Sequence, residues 1–245
     1  MKKILLYLIA LLCLIMISTN ISYATKTQPL TEEQQKEINA FAGYIEHLMD
    51  IKSYSWACAT AYELTRRYPN EPVGYFLLGT ARMDSGYYEP AIVAFNDCLK
   101  VDKKYFDAYI HRGLSNYQMG KYKEAEKDYN KALRLNNATK YDKALAYANR
   151  AMAKYHDGDY KGAIKDFNII IKTTPDLKTI DSVYYNRGLC RYDSGDIAGA
   201  EADYNKAKEL NPNSKYIYYD KRNEKNKNSN ETKISKIHAK NTLKN

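Results

Sequence analysis

Residues 106–137 read FDAYIHRGLSNYQMGKYKEAEKDYNKALRLNN. Two segments of helical periodicity flank one glycine. The first predicts a helix from about Phe106 to Met119. Gly120-Lys121-Tyr122 then turns the chain, and a glycine just past a helix end accepts the left-handed conformation that closes it. The second segment predicts a helix from about Lys123 to Leu135. Ala125, Tyr129 and Ala132 fall four and three residues apart there, so they share one face. The alanines let the two helices approach closely, and the aromatic ring fills the space beside them. Neither helix can bury its face alone, so this hairpin needs neighbours.

The neighbours are in the sequence. Gly79, Gly113 and Gly188 each precede an alanine by twelve residues (Ala91, Ala125, Ala200), then an aromatic by four more (Phe95, Tyr129, Tyr204) and a small residue by three more (Cys98, Ala132, Ala207). A fourth copy has Ala151, Ala163, Phe167 and Ile170. A fainter first copy has Ile45, Ala57, Ala61, Leu64 and Pro69. The copies are 38–71, 72–105, 106–143, 144–180 and 181–214. Gly86, Gly158 and Gly195 stand in the slot of Gly120, and Pro175 and Pro212 follow the second helix of their copies, where a helix should stop. Four extra residues near 138–141 and three near 176–179 are expected between copies. Thr31-Glu-Glu-Gln34 has the form of a capping box and predicts that the first helix opens near Glu32, ahead of the strict repeat.

A 34-residue helix–turn–helix period with these spacings resembles the tetratricopeptide repeat. Tyr-Tyr-Asn-Arg-Gly-Leu at 184–189 and Asp-Tyr-Asn-Lys-Ala at 128–132 are similar to the bacterial variety of that family. The resemblance covers 38–214. It implies an all-α fold, a right-handed superhelical solenoid of about five repeats. Tyr216-Ile217-Tyr218-Tyr219 predicts a capping helix over 215–226, and 227–245, without hydrophobic periodicity, reads as a disordered basic tail.

The other end is a leader. Lys2 and Lys3 precede an uncharged apolar run from Ile4 to Ile17, and Ser22-Tyr23-Ala24 is a small-x-small site. That is the pattern of a secretory signal peptide over 1–24, followed by an extension over 25–37. An uncleaved anchor is the alternative. Cys13 lies behind Leu11-Leu12, which does not suit lipid attachment. The chain is therefore expected in the periplasm or outside the cell.

The chain has 245 residues, 44% hydrophobic and 27% charged, with 11 glycines and 6 prolines, which excludes collagen-like and wholly disordered classes. Without Lys2 and Lys3 it carries 36 basic and 29 acidic residues. Nine of the basic and three of the acidic residues lie in 215–245. The repeat body is thus close to neutral, unlike a nucleic-acid-binding domain, whose folded part is basic. Cys58, Cys98 and Cys190 match no zinc spacing and are expected to be buried free thiols. No phosphate loop, His-Glu-x-x-His or Gly-x-Ser-x-Gly is present, so the reading is a non-enzymatic chain with no cofactor, no metal and no small-molecule substrate.

Numbering each copy from its first residue, position seven is Tyr44, Leu78, Arg112, Arg150 and Arg187. Position twenty-three is Thr60, Ala94, Asp128, Asp166 and Asp203. Arginine and aspartate appear together in copies three to five and are absent together before. They are expected either as an ion pair between helices, within a copy or across adjacent ones, or as independent solvated charges.

The family resemblance also implies a peptide groove lined by the first helix of each copy, here called the A helix. Carried over by position, the groove residues are Phe76, Met83, Ile110, His111, Leu114, Tyr117, Asn149, Met152, Tyr155, Tyr185, Asn186 and Tyr192. An aromatic and methionine lining suits apolar peptide segments, and the two asparagines can bond a peptide backbone. Some family members clamp a terminal carboxylate with a lysine at position two. Here that position reads Asn39, Val73, Asp107, Leu145 and Ser182. The expected function is an interaction scaffold of the bacterial cell envelope with a protein or peptide partner. The alternative is a surface protein whose basic tail makes weak contact with anionic material.

Overall fold

A computed structural model describes residues 29–213. The leader, the capping segment 215–226 and the tail 227–245 lie outside the described residues. Among these residues there are ten α-helices and no strand: α1 Glu32–Asp50, α2 Tyr54–Arg67, α3 Pro72–Asp84, α4 Tyr88–Val101, α5 Phe106–Gln118, α6 Tyr122–Leu133, α7 Lys140–His156, α8 Tyr160–Thr173, α9 Ile180–Asp193 and α10 Ile197–Leu210. The odd-numbered helices are the A helices of the copies and the even-numbered ones the B helices. The fold is all-α and built of helix–turn–helix repeats. The chain divides into two compact units between Met119 and Gly120.

Local chemistry sets the helix starts. Thr31 caps α1 reciprocally with Gln34, Thr31 Oγ1 accepting from the Gln34 amide at 3.2 Å and Gln34 Oε1 from the Thr31 amide at 2.9 Å. Thr139 and Asp142 build the same box at α7. That box starts α7 one turn before the strict repeat, so Lys140 and Tyr141, expected in the insertion between copies, are helical instead. Asp159 and Asp196 cap α8 and α10 by accepting from the Gly162 and Gly199 amides. Pro72, which has no amide to satisfy, opens α3.

The turns between A and B helices share one left-handed residue. Gly86, Gly120, Gly158 and Gly195 have φ of 85°, 72°, 87° and 91°. In the first copy the same slot holds Lys52 at φ 58°. A lysine there carries the steric cost that glycine avoids.

In the first unit α3 lies beside both α1 and α5, with α2 packed on α1 and α3, and α4 packed on α3 and α5. One core gathers Ile38, Ile45, Leu48, Ala57, Ala61, Leu64, Leu77 and Leu78, and another gathers Ala91, Phe95, Cys98, Leu99 and Ala108. The close approach is visible at Gly79, where an added Cβ would fall 2.5 Å from the Phe95 ring. In the second unit α6 to α10 pack in sequence. Their core holds Ala144, Ala151, Ala163, Phe167, Ile170, Val183 and Cys190.

Cys98 and Cys190 are buried. Cys58 is only half-buried, contrary to the expectation of three buried thiols, because its side of α2 is not covered: Ser55, Trp56, Ala59 and Tyr62 are exposed. Burial pushes the Cys98 thiol up to about 12, with the charge of Asp102 adding to it.

Candidate functional site: the A-helix face

The groove residues divide between the units. In the first, Phe76 on α3 is the centre of an aromatic contact: its ring meets Tyr105 at 5.2 Å and His111 of α5 edge-on at 5.0 Å. Met83 packs beside it on the core, and Leu114 and Tyr117 of α5 are half-buried. His111 Nδ1 lies 2.8 Å from the Asp107 carbonyl oxygen one turn back. Ile110 is not open on this face: it is 2% exposed, whereas the larger Phe76 at the same position of α3 is only half-buried.

The sequence reading missed the acids. On α1, α3 and α5, positions two, five, six, nine, twelve and thirteen include Glu46, Asp50, Asp84 and Asp107, all exposed, and no lysine or arginine. Burial raises the Asp84 carboxyl above its ordinary value, and the charge of His111 opposes that rise. The face is therefore an apolar floor with a carboxylate border. The positions follow from the repeat register alone, so this signal was available in the sequence.

In the second unit Asn149, Met152, Tyr155, Tyr185, Asn186 and Tyr192 are all half-buried on α7 and α9. The Tyr155 hydroxyl donates to Asp193 Oδ2 at 2.6 Å and so ties α7 to α9. Tyr155 also meets His156 edge-on at 5.1 Å and Tyr160 at 5.5 Å, and His156 stacks on Tyr122 at 5.4 Å. Tyr122, Tyr160 and His156 extend the aromatic surface beyond the expected residues. Position alone could not place them, because they lie at helix ends, Tyr122 and Tyr160 first in α6 and α8 and His156 last in α7. Met152 and Tyr185 pack inward, Met152 on the core and Tyr185 5.5 Å from the Tyr204 ring.

The arginines are partly buried network residues of the repeat. Arg150 donates from Nε and Nη2 to the two oxygens of Asp166 at 2.8 and 2.6 Å, and from Nη1 to Asn130 Oδ1 at 2.5 Å. Arg187 donates likewise to Asp203 at 2.8 and 2.5 Å and to Asn168 at 2.6 Å. Each arginine thus pairs with the aspartate of its own copy, and the bond to the preceding copy goes to an asparagine. Asp166 and Asp203 are 2% and 3% exposed, so they are not independent solvated charges. Lys154 and Arg191 add a second cation to each carboxylate. For Arg150, burial alone would lower the guanidinium, but the bonds and charge of Asp166 outweigh it and raise it. Arg112 lies in the first unit and donates to Asn96 at 2.6 Å, while Asp128 lies buried in the second.

Among the described residues no group of three or more His, Cys, Asp or Glu side chains is placed to hold a metal ion, and no helix is long and apolar enough to cross a membrane. Tetratricopeptide-repeat family models match residues 73–105, 106–137 and 182–214. No curated protein matches the chain in sequence. Among solved structures, MamA (residues 41 to the end) from Desulfovibrio magneticus RS-1 is similar with TM-score 0.63 and 19% identity, over 73% of this chain and 97% of that one. YrrB, described as a TPR protein with an unusual peptide-binding site, has TM-score 0.59 and 17% identity over 74% and 90%. PilF of Pseudomonas aeruginosa has TM-score 0.64 and 12% identity over 73% and 78%. The repeat spacing, the hairpins built from it and the three matched segments agree, and the chain is a tetratricopeptide-repeat protein.

Proposed function

We propose that this chain is a non-enzymatic scaffold of the bacterial cell envelope that holds an apolar segment of a partner protein against its A-helix face. The observation that carries the reading is the composition of that face in the first unit: Phe76, Met83, Leu114 and Tyr117 remain partly open beside four carboxylates and no fixed cation. An apolar segment with lysine or arginine at its flanks suits such a surface, and a terminal carboxylate does not. The description of YrrB as a peptide-binding TPR protein supports the class of ligand. The leader-like residues 1–24 support export, to the periplasm or beyond.

The test uses display of random peptides on the folded chain, followed by affinity measurement. The expected ligands are aromatic or aliphatic with basic flanks. Their affinity falls at least about tenfold, the usual effect of losing one interface anchor, in Phe76→Ala with Tyr117→Ala, while circular dichroism is unchanged. Ligands that bind this variant as tightly as the parent move the site off the A-helix face. The net positive charge of 215–245 favours a second reading, weak contact of the tail with anionic surfaces. Deletion of 227–245 separates the two, since it abolishes only the second.

A further inference from the structure

The B helices of copies three and four bury the same positions. Ala125, Asp128, Tyr129 and Ala132 of α6 match Ala163, Asp166, Phe167 and Ile170 of α8, and all are buried. The opposite side of each helix carries positions eighteen, twenty-two, twenty-six and twenty-nine. Steps of four, four and three residues keep these in one row. In copy three the row is Lys123, Lys127, Lys131 and Arg134, and in copy four it is Lys161, Lys165, Ile169 and Lys172. Every cation in the two rows is exposed.

The other copies fill this row differently. It reads Ser55, Ala59, Glu63 and Arg66 in copy one, Glu89, Val93, Asp97 and Lys100 in copy two, and Ala198, Ala202, Lys206 and Glu209 in copy five. In each of them the cation meets an acid three residues away: Arg66 and Glu63 at 3.3 Å, Lys100 and Asp97 at 2.7 Å, Lys206 and Glu209 at 2.9 Å. The repeat therefore does not require lysine in this row, and where a cation stands alone in it a partner is supplied. On α6 and α8 no cation of the row takes part in an ion pair among the described residues. The nearby acids are engaged or few. Glu126 acts on Arg150 of α7, Asp159 caps α8, and Glu124 is the exposed acid beside the row of α6. Lysines four residues apart on one helix repel each other. Lys123, Lys127 and Lys131 do so on α6, and Lys161 and Lys165 on α8, so the compensating charge comes from outside the chain.

We propose that the outer face of α6 and α8 docks on the surface of an anionic lipid bilayer. The sign of the partner follows from the charge, and its class from the arrangement. Both helices pack on α7, so the two rows form one patch of the second unit. Each row is about 16 Å long at the helical rise of 1.5 Å per residue. A plane of lipid phosphates engages both rows at once, whereas a single polyanionic strand follows one. All but Arg134 are lysines, point charges without the planar fork that fixes one phosphate, and this suits headgroups that move laterally. Among the described residues no exposed large apolar side chain lies on α6 or α8. Nothing on this face stacks on a nucleic-acid base or enters the hydrocarbon, and the attraction is electrostatic at headgroup level. The A-helix face is a separate surface, and neither reading depends on the other.

The test is cosedimentation of the full chain with vesicles of phosphatidylcholine and phosphatidylglycerol in equal parts, at about 0.15 M salt, where the surface field reaches about 8 Å. Two variants with the same change in net charge are compared. One combines Lys123→Gln, Lys127→Gln, Lys161→Gln and Lys165→Gln. The other combines Lys233→Gln, Lys236→Gln, Lys240→Gln and Lys244→Gln in the tail. The parent is expected to bind these vesicles and not pure phosphatidylcholine. At about fivefold for each lysine withdrawn from an anionic surface, the helix variant is expected to lose at least about a hundredfold in partitioning and the tail variant less than about tenfold. The helix variant keeps its circular dichroism and melts no lower than the parent, since its substitutions remove repulsion. Equal losses in the two variants would show that net charge alone acts and would overturn the proposal, as would a larger loss in the tail variant. A parent that binds long-chain polyphosphate but not the vesicles would assign the rows to a linear polyanion and overturn it equally.

Discussion

The carboxylate of Asp166 makes a two-point contact with the guanidinium of Arg150, Oδ2 to Nε at 2.8 Å and Oδ1 to Nη2 at 2.6 Å. The carboxylate is 2% exposed and Lys154 approaches it at 3.0 Å. A buried ion of this kind is tolerated only because its lone pairs are taken. Removing Arg150 strands it in part.

The first prediction concerns that pair. Arg150→Ala is expected to destabilise the chain by about 3–5 kcal/mol, the range for breaking a buried pair from one side. Asp166→Asn in the Arg150→Ala background recovers part of the loss, because the buried carboxylate is gone, and Lys154, which then loses its partner, keeps the recovery incomplete. A double-mutant cycle by urea unfolding measures the coupling, and additive effects would refute it.

Lys52 supplies the second prediction. Its φ of 58° lies in the region that Gly86, Gly120, Gly158 and Gly195 occupy at the same turn. Lys52→Gly is expected to stabilise the chain by roughly 0.5–1 kcal/mol, the steric cost of about 1–2 kcal/mol for that conformation less about 0.4–1 kcal/mol for the extra freedom of glycine in the unfolded chain. A lower melting temperature for the glycine variant would contradict the turn geometry.

Two glycines in A helices should respond to alanine in opposite directions. At Gly79 the added methyl meets the Phe95 ring, and Gly79→Ala is expected to cost about 1–3 kcal/mol. At Gly43 nothing lies within 4 Å, and Gly43→Ala is expected to gain about 0.5–1 kcal/mol from the better helix former. Thermal unfolding of the two variants side by side decides it.

Alkaline pH should weaken the first unit. Burial pushes the Cys98 thiol from its ordinary 9.0 up to about 12. Burial, then the charges of Cys98, Asp107 and Asp102, push Tyr105 from 10.0 up to about 12. Both groups hold their protons more tightly when folded, so their contribution to stability is complete below about pH 9 and is lost as pH rises towards about 12. Urea midpoints that hold steady from about pH 9 to about pH 11 would contradict this. Native alkylation at neutral pH is expected to label half-buried Cys58 well before Cys98 or Cys190.

The repeat was legible because its spacing is set by packing that every copy must satisfy. Gly79 and Gly188 are glycines because a ring crosses them, and Ala57, Ala91, Ala125, Ala163 and Ala200 are small because helices touch there; all five are at most 1% exposed. The Arg–Asp pairing also showed in the sequence, since each half is costly to bury alone. The asparagines were not seen, because Asn130 and Asn168 are polar residues on polar faces until a guanidinium from the next copy reaches them. The first copy hid its own version. Arg67 comes from the B helix, lies over Phe41 and bonds Glu37 and Glu63, an arrangement that the other copies do not repeat among the described residues. Ile110 and Cys58 were misplaced for one reason: a position number gives the direction of a side chain but not the size of the neighbour that covers it.

Because an arginine draws its aspartate from its own hairpin and its asparagine from the one before, the bond across each junction is independent of which hairpins meet. Any module that ends in the asparagine can precede any module that begins with the arginine. Whole copies can then be duplicated, lost or exchanged without leaving a charge unmatched, and the array can change length in steps of one module while its electrostatics stay closed.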